Sequence, residues 1–373
     1  MENLLVSIVS FKKLYVGDFV KEKFELEGIE CFITDEGFEI KDDNIPKGYK
    51  LKVGLNDTEK AIKVLLQVHK EYDLDKIRQD SSLIRDKKKI LIPVDISDYQ
   101  INVLEYAFGI AGKTDAEVKL LYVYKDPTQE VPVKYTTSWQ EHERIEAVET
   151  YDKAQSNLLK FRNKLKQQID KKILENTKMH FMFLKGRPEN VIVAVCKRYK
   201  PDLVIMGPKG KDEKKSAFMG SVTTDVIENT KFPILTIPKS AKYKGLDLIN
   251  IMYATDFNEA DNTSLNRLLE IVAPYNTKIH CIHIDIENDP LIQGKVDELN
   301  QLFKKEYSDY NIQCKLFEST DLIKGFEDFT KNNNIDIISF SSPRQTLFYK
   351  IFHPNKLKKM VSTSKIPMLV FPV

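Results

Sequence analysis

Residues 203–210 read LVIMGPKG, and residues 220–223 read GSVT. The apolar first half of the longer stretch is typical of a buried parallel strand. Gly207 allows the sharp turn and the close backbone approach that a loop around a ligand requires. Ser221 suits the N-cap of a helix over 222–229, whose unpaired N–H groups and positive dipole end favour anions. We interpret the segments as a strand, a phosphate-binding loop and a helix, although a Gly-Pro loop before a capped helix is also an ordinary turn.

The chain after residue 85 contains the same order of segments twice. The equivalent segments are DLV at 202–204 and DII at 336–338, with an offset of 134, and PVD at 93–95 and ATD at 254–256, with an offset of 161. The change of offset shows that the first copy is longer in its middle. We divide this part of the chain into a first copy, 86–242, and a second copy, 245–373.

Apolar runs alternate with amphipathic stretches in both copies. The first copy predicts strands at 88–94, 117–124, 178–184, 203–206 and 233–237, with helices at 99–112, 139–175, 188–199 and 221–230. The second predicts strands at 248–254, 278–284, 312–317, 336–340 and 367–371, with helices at 259–273, 291–309, 321–332 and 355–363. This alternation favours an α/β fold with parallel sheets and helices on both faces.

The helix predicted at 139–175 is unusually long and charged. Its partial apolar stripe comprises Ile145, Val148, Leu158, Phe161, Leu165 and Ile169. The pattern is typical of a helix that packs on the core and has an exposed end. The alternative is an arm that docks a partner.

Residues 1–80 have a different pattern. They predict strands at 4–9, 28–33 (with a turn at its start) and 49–53, and helices at 16–27 and 57–72. This βαββα order indicates a small α+β domain of ferredoxin-like type. Asn56 and Glu59 form a variant of the capping box at the second helix. The hydrophilic residues 73–88 are predicted to be a linker.

The composition narrows the class of protein. Charged residues make up 30% of the 373 residues and the net charge is only +2, so we expect neither a nucleic acid nor a membrane as partner. No apolar stretch approaches the ~20 residues of a membrane span, and the N-terminus lacks a signal-peptide pattern. We therefore expect a cytoplasmic protein. The four cysteines are scattered, which favours reduced core thiols and no metal site.

The spacing Gly-x2-Gly-x9-Gly-Ser, from Gly207 to Ser221, resembles the nucleotide-binding signature of the universal stress protein family. Asp95, at the end of the first predicted strand, strengthens the resemblance, which extends over 86–373. It implies two tandem doubly wound parallel five-stranded sheets. The N-terminal domain, with LEGIE at 26–30 and DTEKA at 57–61, is similar to small domains classed as signal-transducing proteins.

The resemblance also implies that the first copy binds ATP, with any Mg²⁺ held through the phosphates. On the adenosine side it implies Pro93, Val94, Asp95 and Val123. On the phosphate and ribose side it implies Met206, Gly207, Lys209, Gly210, Gly220, Ser221, Val222 and Thr223. In the second copy the counterparts of Gly207, Gly210, Gly220 and Ser221 are Ser341, Arg344, Pro354 and Asn355. We expect weak ATP binding or none there, because each lost glycine adds a Cβ beside the ligand.

The resulting hypothesis is an ATP-binding regulator of a stress response or of signalling, acting on an unidentified protein partner. The two copies are expected to pack as an intramolecular pseudo-dimer, as paired domains of the family do, and a homodimer of the whole chain remains open. No catalytic set of nucleophile, base and orienting residue is visible, and G-x-x-x-x-G-K-[ST] is absent. A slow ATP-hydrolysing enzyme and a nucleotide-free scaffold that dimerises or docks partners are the alternatives.

Overall fold

The computed structural model describes residues 5–11, 14–35, 49–72, 87–97, 100–124, 137–207, 220–245, 247–285, 290–319, 322–342 and 366–372. Two compact units are distinguished. The first comprises 1–96 and 115–199, and the second comprises 97–114 and 200–373. The domain limits drawn from the sequence stay a prediction. The predicted helix at 355–363 lies outside the described residues.

The N-terminal module, residues 5–72, confirms the predicted βαββα order. Its elements are β1 (Leu5–Phe11), α1 (Leu14–Leu26), β2 (Cys31–Asp35), β3 (Tyr49–Gly54), a 3-10 turn (Leu55–Asp57) and α2 (Thr58–Glu71). Strand β3 pairs antiparallel with both β1 and β2. Val20 and Phe24 of α1 are fully buried against Leu51 and Val53 of β3, so the helix and the sheet share one core.

The predicted capping box of α2 is wrong. Asp57, not Asn56, is the N-cap residue, and its side chain makes no capping hydrogen bond. The 3-10 turn occupies the positions where the predicted box begins. The hydroxyl of Thr58 instead donates to the carbonyl oxygen of Gly54, at 3.4 Å.

Both copies consist of strands that alternate with helices. The first contains β4 (Lys89–Val94), α3 (Gln100–Thr114), β5 (Glu117–Tyr124), α4 (Thr137–Asp170), β6 (Met179–Lys185), α5 (Pro188–Tyr199), β7 (Leu203–Met206), α6 (Ser221–Asn229) and β8 (Ile234–Thr236). The second contains β9 (Ile249–Ala254), α7 (Glu259–Val272), β10 (Thr277–Asp285), α8 (Ile292–Glu306), β11 (Asn311–Glu318), α9 (Leu322–Asn332), β12 (Ile337–Ser342) and β13 (Met368–Pro372). The fold is α/β, as predicted.

The strand order shows how each unit is built. In the first unit it is β1-β3-β2-β6-β5-β4, and in the second it is β7-β8-β13-β12-β9-β10-β11. The five strands of the second copy, in the order β13-β12-β9-β10-β11, are all parallel. The chain adds β10 and β11 on one side of β9, and then β12 and β13 on its other side. This is the doubly wound order, in which ligands bind beyond the carboxyl ends of the strands at the switch point. Strands β8 and β13 pair antiparallel, so the last strands of the two copies meet.

The backbone repeats an uncommon conformation at equivalent positions of the two copies. Ile96 and Phe257, which the offset of 161 relates, have φ values of 58° and 55°. Lys200 and Asn334, related by the offset of 134, have φ values of 52° and 50°. Positive φ is uncommon for residues other than glycine, so its recurrence supports both offsets independently of residue identity.

Helix α4 packs on this chain's own core and on the N-terminal module. Its buried residues recur at helical spacing and are Ala154, Leu158, Phe161 and Leu165. The guanidinium of Arg162 lies 4.6 Å from the ring centre of Phe32 in β2. Ile145 and Val148 of the predicted stripe have side chains outside the described residues. The described half of α4 therefore supports a core-packed helix.

Helix α3 is anchored in the second unit by the segment 239–243. Asn102 donates to the carbonyl oxygens of Lys239 and Ala241, at 2.7 and 3.2 Å. Tyr106 donates to the carbonyl oxygen of Lys242 at 3.1 Å, and its ring packs edge-on against Tyr243. These contacts explain why α3 belongs to the second unit.

At two helical glycines in the second unit, we expect Gly→Ala to change the free energy of unfolding in opposite directions. A Cβ at Gly109 would clash with the Tyr243 hydroxyl oxygen, whereas one at Gly294 would meet no atom of the described residues within 4 Å. We expect Gly109→Ala to lower the free energy of unfolding by about 1 kcal/mol, because the displaced Tyr243 outweighs the gain in helix propensity. Gly294→Ala should raise it by roughly 0.5–1 kcal/mol. Urea unfolding followed by circular dichroism measures both, and equal signs would contradict the packing of Tyr243.

Candidate functional site

Four predicted adenosine-side residues lie at one edge of the first unit's sheet. Pro93 and Val94 end β4, and the parallel register places them opposite Leu121 and Tyr122 of β5. Val123 follows Tyr122, and Asp95 follows Val94, so both lie at the carboxyl end of these strands. Val94 is buried, whereas Pro93, Asp95 and Val123 are partly exposed. The structure therefore brings Pro93, Val94, Asp95 and Val123 together, as the resemblance implies.

Tyr122 and Asn157 are further polar groups at this edge. Burial raises the pKa of the Tyr122 phenol, the negative charge of Asp95 raises it further, and a hydrogen bond with Asn157 of α4 lowers it. Tyr122 thus stays protonated at neutral pH. Sequence reasoning missed both residues. A tyrosine next to Val123 at a strand end was a usable signal for the first, but the register of α4 on the sheet was needed for the second.

The phosphate-side residues that the structure describes lie in the second unit. Met206 ends β7, and Gly207 follows it. The Thr223 hydroxyl is buried and donates to the Gly207 carbonyl oxygen at 3.0 Å, which joins the start of the loop to α6. Val222 is partly exposed and Ser221 is exposed. Lys209 and Gly210 lie outside the described residues.

The predicted N-cap of α6 is corrected from Ser221 to Gly220. Gly220 is buried and has extended dihedrals, φ −75° and ψ 163°, and its carbonyl oxygen accepts the first helical bond from Thr224 at 3.0 Å. Ser221 is the first helical residue. Sequence reasoning missed this position because Ser is the commoner cap, whereas the buried backbone here bears a glycine.

The N-terminus of α6 is electrostatically suited to an anion. Gly220 provides no side-chain capping hydrogen bond, and the first turn contains no acidic residue. The first N–H groups of a helix have no partner within the helix and carry a partial positive charge. With neither a capping side chain nor a carboxylate on this first turn, these groups suit the negative oxygens of a phosphate.

The second copy has a buried hydrogen-bonded network where β9 leads into α7. The counterparts of Gly220 and Ser221 lie outside the described residues. The buried carboxylate of Asp261 accepts from the hydroxyls of Thr255 at 2.8 Å and Ser341 at 2.6 Å. It also accepts from the Tyr253 hydroxyl at 3.4 Å and from the Asp256 backbone N–H at 2.9 Å. Asp261 and the side chain of Asn258 complete a capping box for α7. Through Asp261, the network connects the carboxyl ends of β9 and β12 by buried hydrogen bonds.

The equivalent residues of the first copy cannot form this network. The two offsets relate Tyr253, Thr255 and Ser341 to Ile92, Val94 and Gly207, none of which has a hydroxyl. The counterpart of Asp261 is Gln100, which is 3% exposed. Within the described part of the chain, its amide Nε2 is buried without a hydrogen-bond partner. A buried donor without a partner costs free energy, so Gln100 suits a site that a ligand or water completes.

The described residues contain no group of three or more His, Cys, Asp or Glu side chains able to hold a metal ion. None of the helices in the described ranges combines the length and the apolar character of a membrane span. The cysteines Cys31, Cys196, Cys281 and Cys314 are all buried and unpaired, as predicted.

Comparison with known proteins places the chain in a family. The model of the universal stress protein family matches residues 87–238. Universal stress protein MJ0531 of Methanocaldococcus jannaschii is 35% identical over 157 residues, which are 42% of this chain and 84% of that protein. Universal stress protein MJ0577 of the same organism is 28% identical over 154 residues, which are 41% of this chain and 95% of that protein.

A solved structure shares the fold over a larger part of the chain. The crystal structure of a universal stress protein from Archaeoglobus fulgidus superimposes with a TM-score of 0.51 at 17% identity, and covers 76% of this chain and 96% of that one. Together with the relative of 35% identity, this fold leads to one conclusion. The chain belongs to the universal stress protein family.

Proposed function

We propose that this protein is an ATP-binding regulator whose first copy binds the nucleotide. The observation that carries the proposal is the complete glycine signature, from Gly207 to Ser221, which leads into the α6 N-terminus with Gly220 as its cap. Backbone N–H groups there would bind the phosphates, and Lys209 would add a positive charge. Pro93, Val94, Asp95 and Val123 would contact the adenosine. The assignment of both groups to one nucleotide rests on the sequence pattern of the family.

The difference between the two copies supports this assignment. In the second copy, the Asp261 carboxylate accepts hydrogen bonds from the Thr255 and Ser341 hydroxyls. In the first copy, the buried amide nitrogen of Gln100 has no partner among the described residues. ATP, with Mg²⁺ held through its phosphates, is therefore proposed for the first copy alone. The second copy would then serve as a structural mate.

The nucleotide released on denaturation of the purified protein tests the proposal directly. We expect an adenine nucleotide, or, in a protein purified free of nucleotide, saturable binding of one ATP per chain by isothermal titration calorimetry. AMP and ADP titrated in parallel identify the preferred nucleotide. Absence of both released nucleotide and ATP binding would contradict the proposal and favour the nucleotide-free scaffold.

A regulatory role requires that ATP change a surface that a partner can recognise. We propose that ATP orders residues 211–219, which lie outside the described residues. Hydrogen exchange of this segment should slow when ATP is added, since a ligand shifts an equilibrium only by its different affinity for the two states. Unchanged exchange at saturating ATP would contradict the switch. Phosphate release above background would instead indicate the slow hydrolase.

Other parts of the molecule support the proposed assembly and location. The antiparallel pairing of Ile234–Thr236 with Met368–Val370 supports packing of the two copies as an intramolecular pseudo-dimer. The Arg267 guanidinium also donates to the Lys231 carbonyl oxygen at 3.0 Å, which adds a second contact between the copies. Four buried, unpaired cysteines support a reducing, cytoplasmic location.

A further inference from the structure

A cleft lies in the first unit, between the N-terminal module and the first copy. Among the described residues, strands β2 and β6 pair in parallel where Thr34 and Asp35 face Phe181 and Met182. On the N-terminal side of these pairs the two strands diverge. Residues of α4 line the space between them. The cleft has a volume of about 500 Å³, which lies within the usual range of small-molecule sites.

The cleft combines apolar walls with balanced charge. Leu165, Ile169 and Met179 are among its apolar lining residues. Its charged lining residues are Lys21, Arg162, Lys166, Glu25, Glu30 and Asp170. Three of these are basic and three are acidic, so the cleft does not favour a ligand of one net charge. Within the lining, Lys21 pairs with Glu25 at 3.6 Å and Lys166 pairs with Glu30 at 3.4 Å, so opposite charges alternate along the cleft. A molecule that carries both signs and an apolar group suits such a mixed lining.

Arg162 is the donor best placed for the negative end of such a molecule. Its Nη2 donates to the Glu30 carboxylate at 3.2 Å and to the Cys31 carbonyl oxygen at 3.4 Å. Both bonds use the same nitrogen of the guanidinium. The guanidinium also stacks on Phe32, which holds its plane in one orientation. A carboxylate accepts well from such an oriented guanidinium.

His180 provides an acceptor for the positive end. It lines the cleft, is 6% exposed, and its Nε2 has no hydrogen-bond partner in the described part of the chain. Burial lowers the pKa of His180 to about 4, so its ring is neutral at pH 7. The Asp18 carboxylate lies 3.7 Å from Nδ1 and favours the proton there, which leaves a lone pair on Nε2. An ammonium group could donate to it.

We infer that this cleft binds a zwitterion with an apolar side chain, of the size of an apolar amino acid. The carboxylate would be held by Arg162 and Lys21, the ammonium by His180 and the acidic side chains, and the side chain by Leu165, Ile169 and Met179. The ligand would thereby bridge the N-terminal module and the first copy. This inference is independent of the proposed ATP site.

Titration of the full chain with L-phenylalanine and L-leucine tests the inference. We expect calorimetry to show saturable binding of one molecule per chain. Phenethylamine, which lacks the carboxylate, and 3-phenylpropionate, which lacks the ammonium, should each bind at least tenfold more weakly. Equal binding of all three phenyl compounds would show an unspecific apolar cleft and overturn the inference, as would absence of binding by both amino acids at millimolar concentration.

Variants locate the binding. Arg162→Met should weaken phenylalanine binding at least tenfold, whereas Lys160→Met, on an exposed position of the same helix, should leave it unchanged. Asp170→Asn tests the ammonium side and replaces Arg162→Met should that variant not fold. Gly220→Asp should retain phenylalanine binding whatever its effect on ATP. Binding that none of the cleft variants weakens would overturn the assignment to this cleft.

Discussion

Gly220→Asp is expected to raise the dissociation constant for ATP at least 100-fold. The new carboxylate would lie at the N-cap of α6, where we propose that the phosphates bind. Two like charges about 4 Å apart repel by about 4 kcal/mol at the effective dielectric constant of a protein surface, and each 1.4 kcal/mol is tenfold in affinity. The helix itself should persist, because φ −75° and ψ 163° suit an aspartate and Asp is a favourable N-cap. Calorimetric titration of wild type and variant measures the effect.

Gly54→Asp is the matched control for this charge. Gly54 is also an N-cap glycine in an extended conformation, with φ −63° and ψ 149°, but it lies in the N-terminal module. Among the described atoms, a Cβ there would have Asp57 Oδ2 at 3.8 Å as its one neighbour within 4 Å, which is ordinary contact. ATP affinity should equal that of the wild type. Unchanged affinity in Gly220→Asp, or equal losses in both variants, would show that the effect is not local to α6.

Asp261→Ala is expected to destabilise the second unit by about 3 kcal/mol. The substitution leaves the buried hydroxyls of Thr255 and Ser341 and the Asp256 N–H without their acceptor. A buried donor that loses its partner costs about 1–3 kcal/mol, and only part of the total is recovered when water enters. A lower urea midpoint, followed by circular dichroism, is the expected result.

Asp297→Ala is the corresponding control on the same copy. Asp297 is exposed on α8 and accepts a hydrogen bond from Gln293 at 2.9 Å, one helical turn away. Its loss should cost less than about 0.5 kcal/mol. If the two substitutions cost the same, the Asp261 network does not stabilise the second copy. ATP affinity of Asp261→Ala, measured where the protein is folded, should remain that of the wild type under the proposal that only the first copy binds.

The sequence alone was sufficient for the elements and the repeat. Alternating apolar runs and amphipathic stretches predicted the strands and most helix limits within a few residues, since both depend on local periodicity. The offsets of 134 and 161 followed from short matching segments, and the recurrent positive φ values support them. The glycine spacing from Gly207 to Ser221 singled out one copy as the candidate site.

Tertiary structure decided what depends on residues far apart in the chain. Ser341 and Asp261 are 80 residues apart, so no local pattern shows that their side chains share a hydrogen bond. The packing of α4 on β2, and the cleft where β2 leaves β6, likewise require contacts across more than 100 residues. The cap of α6 was misplaced for a related reason, since the choice between Gly220 and Ser221 depends on how the buried loop enters the helix. Local periodicity thus determined the elements and glycine spacing the candidate site. Non-local packing and hydrogen bonding determined the structural differences between the two copies.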